Sequence, residues 1–195
     1  SENGFIQYQD GLGELVLPEP SILGDHQLYN ISTSIAASRK IFNIKDEYIR
    51  NGIKNISLKA RLEEIKSGKL KDIAGNNKLV IDGGHNISAS LSIANWVKNQ
   101  NEEANLIVGM MKDKEHVEFI KAFENIVNSI TLIDIPNQDG AISKEDFKKK
   151  LDNSKLNLKL SNGIEESIKS LSKNENTIIL CVGSLYLAGE ILSLN

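Results

Sequence analysis

The sequence contains very little cysteine, few aromatic residues and no long hydrophobic run. Cys181 is the only cysteine in 195 residues, and aromatic residues make up 5%. One cysteine excludes an internal disulfide and is typical of a reducing compartment. No apolar run approaches the roughly 20 residues that a membrane-spanning helix needs, and the first ten residues lack the basic and apolar regions of a secretory signal. The sequence therefore predicts a cytoplasmic protein with no membrane partner.

The sequence also lacks a dominant charge. It has 23 basic and 26 acidic residues, a formal net charge of -3, so no nucleic-acid partner is expected. The basic stretch KEDFKKK, residues 144–150, is interpreted as a solvated helix face. Hydrophobic residues account for 40%, which is ordinary for a globular protein and sufficient for a core.

Several familiar site motifs are missing. The sequence contains neither G-x-x-x-x-G-K-[ST] nor G-x-G-x-x-G, and no G-x-S-x-G elbow surrounds Ser184. The three histidines, His26, His85 and His116, are far apart and have no zinc-site spacing. Cys181 lies inside an apolar run and is interpreted as a core residue. A self-contained nucleotide hydrolase or zinc enzyme is not indicated.

From residue 72 onward, short apolar runs alternate with helical patterns. The predicted strands are Leu79–Ile81, Leu106–Val108, Ile130–Ile133, Leu156–Leu160 and Ile178–Val182. The predicted helices lie near 86–100, 114–128, 143–153, 163–173 and 184–193. This alternation predicts an α/β fold, a Rossmann-like and mostly parallel sheet with helices on both faces. The run LNLKL alternates in polarity, so that strand is expected near an edge.

The first part of the chain has a different pattern. Two short strands around Asp10-Gly11 predict a hairpin, and helices are predicted from Gly24 to Ile41 and over about 45–53. The first helix has apolar positions on roughly one face: Leu28, Ile31, Ile35, Ala36 and Ile41. A hairpin and two helices are too small for a domain. We therefore expect residues 1–53 to be the end of a larger domain, followed by a linker over 54–71.

The stretch KLVIDGGHNISASLSIANW, residues 78–96, is the strongest candidate site. Asp82 to Asn86 follow a buried strand, where ligands of open α/β sheets bind, and a helix N-terminus follows. Asp82 could accept hydrogen bonds from ribose hydroxyls, and His85 could meet a phosphate or carboxylate. We therefore expect both side chains to be solvent-accessible. The alternative is a purely structural turn in which Asn86 caps the helix.

Five separated stretches together resemble one protein family. They are LPEPSILGDHQLYN (family pattern L-P-x-P-x-x-G-x-H-Q-x-x-N), ARLEEI (G-R-L-E), IDGGHN (D-G-A-H-N-P), VGMMKDKE (G-x-x-x-D-K-D) and VGSLYLAGEIL (G-S-L-Y-L-x-G-E). All five occur in the order found in folylpolyglutamate synthase / dihydrofolate synthase, of the Mur ligase superfamily. The chain therefore resembles the C-terminal portion of that family, over about residues 17–192.

The sequence departs from the family pattern at several places. Gly84 replaces the usual Ala, Ile87 replaces a Pro that would preorganise the helix start, and Lys59-Ala60 replaces Pro-Gly. The family's phosphate loop, magnesium ligands and modified lysine belong to an N-terminal region with no counterpart in this sequence.

The resemblance implies both an architecture and a reaction. Residues 1–53 would be the C-terminal tail of the central ATPase domain, and residues 72–195 the Mur-ligase-type C-terminal domain. The reaction would use ATP and Mg²⁺ to join L-glutamate to a folate or dihydropteroate carboxylate through an acyl phosphate. Positioning and electrostatics dominate such chemistry. This chain alone would be inactive and would depend on the missing N-terminal ATPase region.

The resemblance also implies roles for five residues. Asn30, Arg61 and Asp82 would contact ATP: an amide can donate and accept at an adenine edge, and a guanidinium is a permanent cation suited to phosphate. His85 would be catalytic and would bind glutamate, and Ser184 would also bind glutamate. No metal ligand is expected in this chain.

Two other interpretations remain open. The chain could be a nucleotide-binding or small-molecule-binding module that performs no chemistry by itself. It could also be a structural α/β domain that docks on a partner subunit carrying the phosphate loop.

Overall fold

The computed structural model describes residues 4–22, 25–151 and 156–195 of the chain. The chain divides into two compact units, Ser1–Lys59 and Ala60–Asn195. Within the described ranges, no helix is long and apolar enough to cross a membrane.

The first unit is the predicted hairpin followed by two helices. Strands β1 (Phe5–Asp10) and β2 (Gly13–Pro18) pair antiparallel, with Asp10 opposite Gly13. Helices α1 (Asp25–Phe42) and α2 (Asp46–Lys54) follow. The carboxylate of Asp10 holds the turn, since its Oδ1 accepts from Leu12 N at 2.8 Å and pairs with Arg39 Nη1 at 2.8 Å.

The core of the first unit is small. It consists of buried apolar side chains from the hairpin and both helices, namely Tyr8, Leu15, Leu17, Ile31, Ile35, Ile49 and Ile53. The predicted apolar face of α1 is therefore confirmed at Ile31 and Ile35 but wrong at Leu28, Ala36 and Ile41, which are exposed. Other residues of this unit bury only a narrow stripe of α1. The spacing of apolar residues in the sequence therefore predicts a wider buried face than the structure has.

The second unit contains a six-stranded sheet with the order β3-β4-β8-β5-β6-β7. Its strands are β3 (Glu63–Ile65), β4 (Lys78–Ile81), β5 (Ala104–Val108), β6 (Ser129–Leu132), β7 (Leu158–Leu160) and β8 (Ile178–Val182). Its helices are α3 (Lys69–Ala74), α4 (Ile87–Lys98), α5 (His116–Lys121), α6 (Lys144–Lys150), α7 (Ile164–Leu171) and α8 (Leu185–Leu194). β3 pairs antiparallel with β4, and the other neighbours are parallel.

Helices cover both faces of this sheet, as predicted. On β4, Val80 belongs to a core cluster with α4, α5 and α6, whereas Leu79 and Ile81 belong to a second cluster with α3, α7 and α8. Successive strand residues point to opposite faces, so β4 contributes to both clusters. Every residue of β5 and β8 is buried, which explains their continuous apolar runs.

Two short elements escaped sequence analysis. Residues 54–71 were expected to be a linker, but they contain β3 and the start of α3. β3 has three residues, of which Ile65 alone is fully buried. It is therefore too short to show the alternation of polar and apolar residues that identifies a strand. The predicted edge position of LNLKL is confirmed, because β7 ends the sheet. The predicted helix near 114–128 is shorter, and residues 152–153 of another predicted helix lie outside the described residues.

Candidate active site

Three loops meet where β4, β8 and β5 end. Gly183 N donates to Gly84 O at 3.0 Å, and Gly109 N donates to Val182 O at 3.3 Å. Because these three strands are parallel neighbours in the sheet, their carboxyl ends share one edge. The motifs IDGGHN, VGSLY and VGMMKDKE, far apart in sequence, are therefore side by side.

Asp82 is an internal anchor of this edge. Its side chain is 4% exposed, with Oδ2 accepting from Leu62 N at 2.8 Å and Oδ1 from Gly84 N at 2.6 Å. The expectation that Asp82 is solvent-accessible is therefore wrong. The physical reason is that the carboxylate satisfies two backbone N–H groups of the adjoining turns. Contact of Asp82 with ATP stays a prediction.

Arg61 lies in a strained segment beside this anchor. Ala60 and Leu62 have φ values of 54° and 47°, a left-handed conformation that is costly for side chains other than glycine. Ala60 O accepts from Gly83 N at 2.9 Å and from Arg61 Nη1 at 3.0 Å. A guanidinium carries five N–H donors, so half-buried Arg61 has donors left for an anion. Ala60, which stands where the family pattern has glycine, thus takes a backbone conformation that glycine adopts more readily.

The imidazole of His85 has a defined tautomer. Its Nδ1 lies 3.0 Å from Gly83 O, and a carbonyl oxygen can only accept, so Nδ1 carries the hydrogen. In the neutral ring, Nε2 then holds the lone pair. His85 is half-buried and lines an open cavity, as the accessibility prediction requires. The free nitrogen is available to take a proton.

A cavity of about 300 Å³ lies at the junction of the three loops. It is lined by His85, Met111, Asp113, Lys114, Ser184, Leu185 and Tyr186. Lys114 Nζ contacts Asp113 Oδ2 at 2.8 Å, and this hydrogen bond holds the pKa of the Asp113 carboxyl below its ordinary value. The cavity therefore combines a cation, a carboxylate and an imidazole, and it brings His85 and Ser184 together.

Two helix N-termini reach the same edge. Asn86 caps α4, with Oδ1 accepting from Ala89 N at 2.8 Å, and Ser184 caps α8, with Oγ accepting from Tyr186 N at 3.0 Å. Capping by Asn86 was predicted by the alternative interpretation, in which the motif is a purely structural turn. The structure shows both this cap and a cavity beside it. Helix N-termini favour anions, so this edge suits a carboxylate or phosphate.

The other sequence candidates are not among the residues that line the cavity. Asn30 is exposed on α1 in the first unit, where its Nδ2 donates to Gln27 Oε1 at 3.1 Å. Cys181 is buried in β8, and burial raises its pKa to about 12, which makes the thiol inert. The side chain of His26 lies outside the described residues. In the described ranges, no cluster of three His, Cys, Asp or Glu could hold a metal ion.

His116 is a buried residue whose position sequence analysis did not anticipate. It is 3% exposed, its Nε2 lies 3.0 Å from Met111 O, and Lys150 Nζ lies 3.2 Å from its Nδ1. Since the carbonyl accepts, Nε2 carries the hydrogen and Nδ1 accepts from Lys150. Burial, and then the Lys150 ammonium, hold the pKa of His116 below its ordinary value of 6.5. The neutral ring thereby connects Met111, in the loop that follows β5, to Lys150 in α6.

The pH dependence of stability should reveal this histidine. In the folded chain His116 resists protonation, whereas in the unfolded chain it gains a proton as the pH falls below 6.5. The unfolded state then binds more protons, so the free energy of unfolding should fall from pH 6.5 toward the lower folded pKa. Urea unfolding of wild type and His116→Gln between pH 5 and 8 measures the effect. The stability difference between them should shrink as the pH falls, and parallel curves would contradict the assignment.

Sequence analysis also gave no role to several cavity residues. Asp113 and Lys114 lie in the motif VGMMKDKE, and Tyr186 lies in the motif VGSLYLAGEIL. The available signal was position: each motif directly follows a predicted buried strand. Since parallel strands end at a common edge, residues following β5 and β8 could have been placed near His85.

The chain is similar to known proteins in sequence and in fold. Residues 66–194 match the family model described as dihydrofolate synthetase, C-terminal domain. The chain is 23% identical over 182 residues to a probable dihydrofolate synthetase of Schizosaccharomyces pombe, covering 86% of this chain and 42% of that protein.

Solved structures show the same fold. A Mycobacterium tuberculosis folylpolyglutamate synthase complexed with ADP and AMPPCP superimposes with a TM-score of 0.79 at 17% identity, over 99% of this chain and 48% of the other. A bifunctional folylpolyglutamate synthase/dihydrofolate synthase with Mn, AMPPNP and L-glutamate bound gives 0.75 at 17% identity, over 98% and 46%. The chain thus spans less than half the length of these relatives.

Proposed function

The chain belongs to the family of dihydrofolate synthetase C-terminal domains, and from this membership we propose that it is the C-terminal part of an ATP-dependent ligase. The reaction joins L-glutamate to a folate or pteroate carboxylate in the cytoplasm. The family resemblance is confirmed by the match over residues 66–194, which contains the last three of the five motifs. The observation that supports the reaction is the cavity, in which His85, Ser184 and two helix N-termini converge.

An amide bond forms here only if an ammonium loses its proton and meets an activated carboxyl carbon. When bound, ATP supplies the phosphoryl group that converts the carboxylate into an acyl phosphate. The contribution of this chain is to bind the amino acid, orient its nitrogen and remove the proton. Such positioning supplies much of the rate enhancement in acyl and phosphoryl transfer.

His85 is the proposed base. Its Nδ1 is held by Gly83 O at 3.0 Å, which fixes the ring and leaves the Nε2 lone pair for the ammonium proton of glutamate. The deprotonated amine then attacks the acyl carbon and the C–O bond to phosphate breaks. The departing phosphate carries away the second N–H proton, and the first proton remains on His85 Nε2. A positioned base within hydrogen-bond reach of the nucleophile accelerates such a step by roughly 10²–10⁴-fold.

Ser184 is the proposed anchor for a carboxylate of glutamate. Its side chain is 4% exposed, and its oxygen accepts from Tyr186 N, so its hydroxyl hydrogen remains to donate. Among the contacts of the described residues, none takes that hydrogen. A hydroxyl beside a helix N-terminus offers a carboxylate both a hydrogen bond and a favourable dipole.

ATP binding is proposed for Arg61, Asn30 and Asp82. The spare N–H groups of half-buried Arg61 fit phosphate oxygens, and the exposed Asn30 amide can serve an adenine edge. The buried carboxylate of Asp82 fits a different role: by holding Leu62 N and Gly84 N it would place Arg61 against the IDGGHN turn. Magnesium ligands are expected from a region outside this chain.

A docking role is the second candidate, favoured by the surface of the first unit. Large apolar side chains are exposed there: Phe5 54%, Val16 55%, Tyr29 78%, Ile41 68% and Phe42 74%. Such exposure is typical of a protein interface. A chain that spans less than half of its relatives' length would use it to engage the part that carries the phosphate loop.

The decisive experiment measures ligation with and without that missing part. We expect no ADP release or amide product from the purified chain with ATP, Mg²⁺, L-glutamate and dihydropteroate or tetrahydrofolate. The physical reason is that no phosphate cradle is present in this sequence to neutralise the transferring charge. Adding the N-terminal ATPase region should produce turnover. Arg61→Ala should then lower turnover roughly tenfold, by removal of one charged contact, and Asp82→Ala should also lower it.

The control is Lys98→Ala, an exposed position at the end of α4, which should leave the rescued activity unchanged. Turnover by the chain alone would contradict the proposed dependence on a partner region. Nucleotide binding without turnover in the combined protein would favour a binding module. Unchanged activity of Arg61→Ala and Asp82→Ala would refute the ATP-site assignment while leaving the family intact.

A further inference from the structure

Three asparagines in the sequence are followed directly by glycine, at Asn3-Gly4, Asn51-Gly52 and Asn162-Gly163. Asn3 lies outside the described residues, and the other two asparagines are both exposed. An asparagine before glycine is chemically labile, because glycine has no Cβ to shield its backbone nitrogen from the neighbouring side-chain amide. Since Asn51 and Asn162 have the same successor and are both exposed, the local structure decides which of them reacts.

Asn51-Gly52 is protected by a helix. Both residues lie inside α2, and Asn51 O accepts from Asn55 N at 3.1 Å and from Asn55 Nδ2 at 2.8 Å. In a helix each backbone nitrogen points along the axis and donates to a carbonyl one turn earlier. The Gly52 nitrogen therefore cannot turn toward the Asn51 side chain without breaking the helix.

Asn162-Gly163 has no such protection. Asn162 lies between β7 and α7, and Gly163 is the N-cap of α7, where the backbone N–H precedes the hydrogen-bonded turns. Among the hydrogen bonds of the described residues, none has the Gly163 N–H as its donor. The Gly163 nitrogen is therefore free to approach the Asn162 amide.

A lysine is hydrogen-bonded to this amide. Lys144 Nζ donates to Asn162 Oδ1 at 2.9 Å, and Asp134 Oδ2 lies 3.5 Å from the same nitrogen. The Lys144 side chain is only 13% exposed, so water screens its charge little. An ammonium donor withdraws electrons from the carbonyl and stabilises the oxyanion that forms when a nucleophile adds to it. Lys144 thus has the geometry of an activating group for attack at Asn162 Cγ.

We propose that Asn162 is a self-modification site, at which the side-chain amide converts to aspartate and isoaspartate, and that Lys144 promotes the conversion. The Gly163 nitrogen forms a bond to Asn162 Cγ, the bond from Cγ to Nδ2 breaks, and ammonia leaves with the proton of the Gly163 N–H. Water then adds across one of the two C–N bonds of the cyclic imide and the new carboxyl releases its proton to solvent. Cleavage at Cγ gives aspartate, and cleavage at the main-chain carbon gives isoaspartate. Water is the only co-reactant, and the reaction is independent of the proposed ligase activity.

The negative charge that the reaction creates is compatible with the surroundings of Asn162. Lys144 Nζ would then lie near two carboxylates, and the N-terminus of α7 lies beside the new charge, which the helix dipole favours. The Asn162 N–H donates to Glu166 Oε2 at 3.2 Å, a backbone contact that aspartate retains. Aspartate at this site should therefore leave the fold intact, so Asn162→Asp serves as the mass and stability standard for the product.

The test is peptide mass spectrometry of the full chain after prolonged incubation at physiological pH and temperature. Replacement of NH₂ by OH should accumulate at Asn162 at least about tenfold faster than at Asn51, the ratio that a barrier difference of one hydrogen bond produces. In urea, where both segments are unfolded, the two rates should converge. Equal rates in the folded chain would overturn the proposed site.

Gly163→Ala tests the nucleophile without disturbing the fold. Gly163 has an extended backbone, with φ of 170°, and a Cβ there would meet nothing within 4 Å. This variant should keep the wild-type melting temperature, and conversion at Asn162 should slow several-fold because the added methyl group shields the attacking nitrogen. An undiminished rate would show that the Gly163 nitrogen is not the nucleophile and would refute the cyclic imide.

The role of Lys144 has its own matched set of variants. Lys144→Gln should slow conversion at Asn162 about tenfold, through loss of one charged hydrogen bond to the developing oxyanion, and Lys144→Arg should retain most of the rate. The backbone bond from Lys144 N to Asp134 Oδ1 at 2.9 Å stays in both variants, so α6 remains anchored. Lys148→Gln, at an exposed position of the same helix, should behave as wild type. An equal or faster rate in Lys144→Gln would overturn the activating role of this lysine.

Discussion

Replacing His85 with Ala should reduce the kcat of the combined ligase by about 100-fold or more. The reason is that Nε2 of this imidazole, oriented by the contact from Nδ1 to Gly83 O at 3.0 Å, is the group proposed to take the ammonium proton. Without it, water must perform the deprotonation from an unfixed position. Steady-state measurement of amide product at saturating ATP, glutamate and folate substrate gives the loss directly.

His85→Asn separates catalysis from loop structure. An asparagine amide nitrogen can donate to Gly83 O as Nδ1 does, but it offers no basic nitrogen at the position of Nε2. We therefore expect His85→Asn to keep the wild-type melting temperature and still lose activity. An Asn variant with near-normal kcat would show that the ring only shapes the turn, and the proposed base would have to be sought elsewhere.

Gly183→Ala should destabilise the second unit by about 3 kcal/mol, from a left-handed backbone penalty and overpacking. Gly183 has φ of 106°, and a Cβ there would lie 2.7 Å from Gly109 O and 2.8 Å from Met110 Cγ. The clash involves backbone of the neighbouring strand, which cannot move without opening the junction of the three loops. A fall in melting temperature of about 10 °C is expected for a unit of this size.

Gly189→Ala is the matched control within the same motif. Gly189 lies in α8, and a Cβ there would meet nothing within 4 Å. Alanine is the better helix former, so this variant should gain up to about 1 kcal/mol. Thermal unfolding of the two variants beside wild type tests the contrast. Equal effects would mean that Gly183 is conformationally unremarkable and that the edge of the sheet tolerates a wider turn.

The central strands of the second unit could be predicted from the sequence because their physics is local. The runs around Val80, Ile107 and Leu180 are apolar without interruption, and the structure places all three in the middle of the sheet, covered on both faces. Helix starts at Asn86 and Ser184 were likewise readable, since a capping side chain acts within two or three residues. Element type follows from such short-range preferences.

The exposure of Asp82 could not be predicted, because its partner is distant in sequence. The carboxylate accepts from Leu62 N, twenty residues earlier, and that contact exists only once β3 has paired with β4. β3 itself has too few residues to show a period. A polar residue after a buried strand can therefore either face solvent or be buried as an acceptor of backbone hydrogen bonds. For Asp82, the antiparallel pairing of β3 with β4 at the sheet edge decides between the two.

By itself, the sequence determined the α/β alternation, the family and the motif around His85, because hydrophobic period, turn residues and short motifs are encoded by neighbours along the chain. The tertiary structure alone decided that Asp82 is a buried anchor, that Ala60 takes a left-handed conformation, and that Lys114 shares a cavity with His85 and Ser184. Those facts depend on strand order. The order β4-β8-β5 pairs Lys78 with Ile178 and Ala104 with Ile178, residues about 70 to 100 positions apart. Such long-range pairing follows from burial of the whole sheet, which no local pattern reports.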